Sequence, residues 1–238
     1  MTEGADAKGK TDGMAEFGES VEAAKAAELT PAQVEMRRAG NAVRRIIHKL
    51  VATRAPADQL AELASRLEGV ADELAPYPQG RAYEGFAESA NAGNPYAFFD
   101  NSPIMGQANP LAPPMRVEVQ GRSVVGRVRF GAAYEGPPGC VHGGYVAATF
   151  DEILGMAQAL TGQRGMTGTL TIRYRRPTPL HHELRFEGDF VRQEGRKIFT
   201  VGRCLADGEV TAEAEGIFVT VDFSRIAALY DSRPVAGE

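Results

Sequence analysis

Residues 139–155 read GCVHGGYVAATFDEILG. His142 is followed by Gly143 and Gly144, which leave the backbone bare, and the chain then turns into a helical pattern. Val146, Phe150, Ile153, Ala157 and Leu160 follow one another at spacings of four, three, four and three, which makes one buried stripe. Ala147, Ala148 and Gly155 are small, so a neighbour can approach closely. Asp151 lies beside the stripe, an acid in the most apolar helix of the chain. A shielded carboxylate has a raised pKa unless it is paired, so Asp151 is either a functional base or a satisfied structural acid. The first amides of a helix lack internal partners and its dipole favours negative charge there. The glycine-flanked start is therefore a candidate oxyanion site.

On both sides of this helix the apolar period changes to two. Met115, Val117 and Val119 alternate with Arg116, Glu118 and Gln120; after a turn at Gly121, Val124, Gly126, Val128 and Phe130 share a face. Beyond the helix, Leu170, Ile172 and Tyr174 alternate with Thr169, Thr171 and Arg173, and Leu184, Phe186 and Phe190 mark a further strand. Two more strands over 197–205 and 209–222 are joined at Asp207-Gly208, a strong hairpin signal. Short turns between strands force an antiparallel sheet, and the single helix must cover one of its faces. The fold class is α+β, with residues 115–223 as its core domain.

Upstream, Thr30-Pro31-Ala32-Gln33 reads as a capping-box helix start. Val43, Ile46, Ile47 and Leu50 mark the face of one helix, and Leu60, Leu63, Leu67, Val70 and Leu74 that of a second. Residues 30–76 are expected to form an antiparallel helical hairpin. Residues 77–114 are punctuated by Pro, Gly and Asn and read as an irregular crossing segment pinned by Phe86, Phe98 and Phe99. Residues 1–29 are expected to be a disordered tail, and residues 224–238 form a C-terminal tail.

The 238 residues carry a net charge of −5, which argues against a nucleic-acid partner. Two cysteines, Cys140 and Cys204, suggest no disulfide framework. No secretory leader and no bilayer-length apolar run is visible, so a cytoplasmic protein is expected. Geometry adds a constraint. Gly144 and Asp151 are about 10 Å apart along the helix axis at 1.5 Å per residue, whereas a nucleophile and an oxyanion donor both lie about 3 Å from a reacting centre. Two antiparallel copies of the helix would satisfy both, which predicts a homodimer, or a dimer of dimers, with shared sites.

His142-Gly143-Gly144 followed by Ala147-Ala148-Thr149 and Asp151 resembles the hotdog-fold acyl-CoA thioesterases of the phenylacetic-acid-degradation type. The strand over 166–177, which ends in basic residues and Pro177, resembles the same family, and the likeness covers about residues 115–222. The resemblance implies an antiparallel sheet wrapped around one long central helix, and hydrolysis of acyl-CoA to free acid and CoA. It implies Asp151 as base or nucleophile, Gly144 with Gly143 as carbonyl-polarising donors, His142 as an orienting residue and Thr167 as a hydroxyl that holds the acid or water. It places Arg173, Arg175 and Arg176 at the phosphates of CoA, and leaves Glu152 as a neighbouring acid of open role. No metal or redox cofactor is needed, because a thioester is already an activated acyl group. The alternatives are a hotdog dehydratase, which wants a histidine and an acid at the β-carbon, and a non-catalytic acyl-CoA binding protein. A Cys140–His142 nucleophile lacks an orienting third group, and His181-His182 lacks further spaced ligands for a metal.

Overall fold

The computed structural model describes residues 29–77, 100–163 and 165–221. The two tails, Phe86, Phe98 and Phe99 lie outside the described residues, apart from Leu29 at the end of the first tail. Two N-terminal helices come first, α1 (Pro31–Ala52) and α2 (Ala57–Leu74), then β1 (Arg116–Gln120) and β2 (Ser123–Arg129). The central helix α3 (Gly143–Ala159) follows, and after it β3 (Gly165–Tyr174), β4 (Glu183–Glu194), β5 (Lys197–Ala206) and β6 (Glu209–Thr220). All strand pairs are antiparallel, in the order β1-β2-β4-β5-β6-β3. This is the expected hotdog arrangement. The β5–β6 hairpin turns where expected, with Asp207 at φ 50° and Gly208 at φ 82°, the left-handed conformation that a two-residue hairpin loop demands.

The sheet takes α3 into a trough floored by glycine. A Cβ on Gly126 would come within 2.6 Å of Ile153 Cδ1, one on Gly188 within 2.7 Å of Ile153 Cγ2, and one on Gly216 within 3.2 Å of Leu154 Cδ1. Removing side chains from the middle of three strands lets the helix sink into the sheet, and Leu184, Phe186, Ile198 and Phe218 close around it. Phe150 meets Phe186 edge to face, with ring centroids 5.1 Å apart. The stripe Val146, Phe150, Ile153, Ala157 and Leu160 is wholly buried, as its spacing predicts.

The packed face of α1 differs from expectation. The capping box is present, with Gln33 N donating to Thr30 Oγ1 at 3.3 Å and Thr30 N to Gln33 Oε1 at 2.9 Å. The apolar face of α1 is not the packed one: Val43, Ile46 and Leu50 are exposed, while Gly40 and Arg44 are buried. The reason lies in residues 100–112. Their backbone carbonyls offer Arg44 a set of acceptors, and Gly40 lets that segment come so close that a Cβ would sit 2.1 Å from Ala108 O. The two expected N-terminal helices are both present; α2 has no fully buried residue, and Leu60, Leu63 and Leu67 of its apolar seam are half-buried.

Candidate active site

His142 is the N-cap of α3, in extended conformation, and its Nδ1 accepts the Gly144 amide at 3.0 Å. That bond places the imidazole proton on Nε2. The Gly144 N–H, one of the two expected donors, thus goes to the cap. The Gly143 N–H has no partner among the described residues. On the carbonyl side Tyr174 Oη donates to Gly143 O at 2.7 Å, which ties the helix start to the end of β3.

Two turns along, Thr167 Oγ1 donates to Asp151 Oδ1 at 2.7 Å. The contact depends on a bulge. Counting by two from Leu170, Ile172 and Tyr174, which share the helix side, would turn Thr167 to the outer face. The register shifts between Thr167 and Thr169, so that Thr167 pairs with Phe218 and Thr169 with Ile217. Gly168 is the extra residue, and its absorption returns Thr167 to the side of the buried Phe218. Space explains the glycine, since a Cβ there would lie 3.1 Å from Val219 Cγ2 and 3.3 Å from Ile217 O.

Glu152 points about 100° away from Asp151 around the helix. It accepts from Ser102 Oγ at 2.7 Å, and burial, with a smaller push from Asp151, raises its pKa above the usual carboxylate value despite that bond. The strand alternation marks Tyr174 without its bond to the helix start, and the Ser102 contact spans fifty positions, beyond any local signal. Gln158 lies two turns beyond Asp151 on the same flank. Its Oε1 is buried without a hydrogen-bond partner, the sole such side-chain atom among the described residues.

The three arginines expected at the phosphates of CoA each meet a glutamate of β6. Arg173 pairs with Glu215, Arg175 with Glu213 at 2.6 Å and Arg176 with Glu209, all at exposed positions. Each positive charge has a β6 carboxylate, so the three pairs form a cross-strand ladder. His182 Nδ1 lies 3.0 Å from Asp207 Oδ2, and among the described residues no group of three metal-binding side chains gathers.

The thioesterase superfamily profile matches residues 138–213, the stretch from the cap of α3 into β6. A crystal structure of a thioesterase superfamily protein aligns with TM-score 0.69 and 36% identity, covering 77% of this chain and 94% of its own. The chain belongs to the thioesterase superfamily. Among curated proteins, this superfamily member is 35% identical over 94 residues to the acyl-coenzyme A thioesterase THEM4 of Bos taurus, covering 39% of this chain and 38% of that one. It is 30% identical over 93 residues to acyl-coenzyme A thioesterase THEM5 of Homo sapiens, covering 37% of each. The match thus spans under two fifths of the length of these curated relatives.

Proposed function

We propose that this thioesterase superfamily chain hydrolyses acyl-CoA thioesters to a free acid and CoA. The observation that carries the reading is the Thr167–Asp151 pair, on the flank of a helix whose Gly143 amide has no partner among the described residues. Asp151 takes a proton from water as it attacks the thioester carbonyl, or attacks directly. The Gly143 N–H stabilises the oxygen that becomes negative. On the general-base route, collapse of the tetrahedral species breaks the C–S bond and the thiolate of CoA recovers the proton from Asp151. On the nucleophilic route the thiolate leaves as the acyl–Asp151 anhydride forms, water then hydrolyses the anhydride, and the proton that water releases goes to the thiolate. Thr167 fixes the carboxylate, and His142 fixes the helix start. A thioester needs no metal or redox group for this step. The curated relatives named as acyl-coenzyme A thioesterases support the substrate class.

The same reading includes a homodimer, or a dimer of dimers. Gly143 and Asp151 lie about 12 Å apart along one helix, too far for one carbonyl, so the partner helix supplies the amide. β3 supports this, because it is an edge strand of ten residues with one row of backbone groups unpaired in the sheet. The unsatisfied Gln158 Oε1 lies on the flank that a partner or substrate would cover. No described helix is long and apolar enough to cross a membrane. A cytoplasmic location and the absence of a nucleic-acid partner belong to this proposal.

The test is thiol release from short, long and aromatic acyl-CoA esters, with Asp151→Asn beside the wild type. We expect turnover that falls by about 10²–10⁴-fold in the variant, the range for loss of a general base. Wild-type protein that binds CoA esters and turns none over would overturn the reading.

A further inference from the structure

The N-terminal part of the chain reaches the site through one side chain. Ser102 is 2% exposed, and its Oγ accepts the amides of Ile104 at 3.1 Å and Met105 at 3.2 Å. With both acceptor positions used, its proton is free only to donate, and it donates to Glu152. The loop that carries Ser102 closes on itself. Asp100 O accepts from the amides of Ala108 and Asn109 at 3.0 Å each, and Asn109 Nδ2 donates to Asn101 O at 3.1 Å. α1 clamps this loop. Arg44, 6% exposed, donates to Ala112 O at 2.7 Å, Asn109 O at 2.7 Å and Gln107 O at 3.3 Å, and no acid pairs with it among the described residues. Arg37 Nε adds an ion pair to Asp100 at 2.6 Å.

Apolar packing seats α3 in its trough, and directional hydrogen bonds refine the roll of the helix within that seat. Asp151 and Glu152 are the two side chains of α3 that hydrogen-bond to other parts of the chain among the described residues. Thr167 holds one from the edge strand and Ser102 holds the other from the clamped loop. Resting on the thioesterase reading, we infer that Ser102 is a positioning residue: acting through Glu152, it fixes the roll of α3 that aims Asp151. The Arg44 clamp exists to hold Ser102 in place. α1 thereby has a role in the reaction without touching the substrate.

The test compares Ser102→Ala, Glu152→Ala, their double variant, Glu152→Gln and Arg44→Met. It reads kcat and KM on the ester the wild type turns over best, together with backbone amide exchange over residues 148–156. Ser102→Ala and Glu152→Ala should each lower kcat about tenfold, the scale of a lost hydrogen bond to a carboxylate, with KM within twofold. The double variant should be no worse than either single one. Glu152→Gln keeps an acceptor for Ser102 and should lose less kcat than Glu152→Ala. Exchange should quicken in Ser102→Ala, Glu152→Ala and Arg44→Met, and less in Glu152→Gln. Arg37→Gln, a milder cut in the same clamp, replaces Arg44→Met if that variant does not fold. Unchanged exchange and kcat in Ser102→Ala, or additive losses in the double variant, would overturn the inference. A wild type that hydrolyses no ester would sink the thioesterase reading alone, since unaltered exchange in Ser102→Ala still decides this one.

Discussion

Thr167→Val isolates the contact on which the proposed chemistry depends. Valine keeps the β-branched shape that suits a strand and removes only the hydroxyl that donates to Asp151 at 2.7 Å. A hydrogen bond to an ionised carboxylate is worth about 1.5–3 kcal/mol. Thr167 is exposed on an edge strand, so water can replace part of the bond, and we take the low end. About 1.4 kcal/mol is a factor of ten. kcat should therefore fall about tenfold, with KM unchanged because the hydroxyl orients the acid and does not bind the thioester. Thr167→Ser restores the donor and should recover most of the loss. Stability should move little, since the side chain is not in the core. Thiol release under saturating ester, beside a urea midpoint for each variant, measures both quantities. A Thr167→Val enzyme within twofold of wild-type kcat would refute the reasoning and remove Thr167 from the site.

Three further outcomes are expected. Gly188→Ala puts a Cβ 2.7 Å from Ile153 Cγ2 and 3.1 Å from Ile153 O, a backbone atom that cannot swing aside. It should destabilise by about 1–3 kcal/mol, and an unchanged urea midpoint would show that the trough has slack. Glu152 binds its proton more tightly folded than unfolded, because burial raises its pKa. Stability therefore declines as pH climbs from the unfolded carboxylate value of about 4.3 through the raised folded one. Glu152→Gln escapes that decline, so its advantage should grow with pH across that window, and a pH-independent difference would count against it. Burial pushes the Cys204 thiol up to about 12, while Cys140 is half-buried. A thiol reagent should label one cysteine quickly in the native protein and two in denaturant; two fast sites would contradict the buried placement.

The sequence by itself determined the order of elements, because local periodicity reports which residues a regular backbone turns to one side. The five-residue stripe of α3, the alternation of β1 and β2 and the Asp207-Gly208 turn needed nothing beyond their neighbours. His142, Asp151 and their spacing were legible for the same reason. The tertiary structure decided which groups meet. The bulge at Gly168 puts Thr167 on the helix side, where strict alternation would turn it away. The Gly144 amide goes to the cap and leaves that of Gly143 without a partner among the described residues. α1 packs by Arg44 and Gly40, because distant carbonyls outbid its apolar face. Arg173, Arg175 and Arg176 are neutralised by β6 glutamates far along the chain. In each case the deciding partner is remote in sequence, and a hydrogen bond's acceptor leaves no period in the residues around its donor.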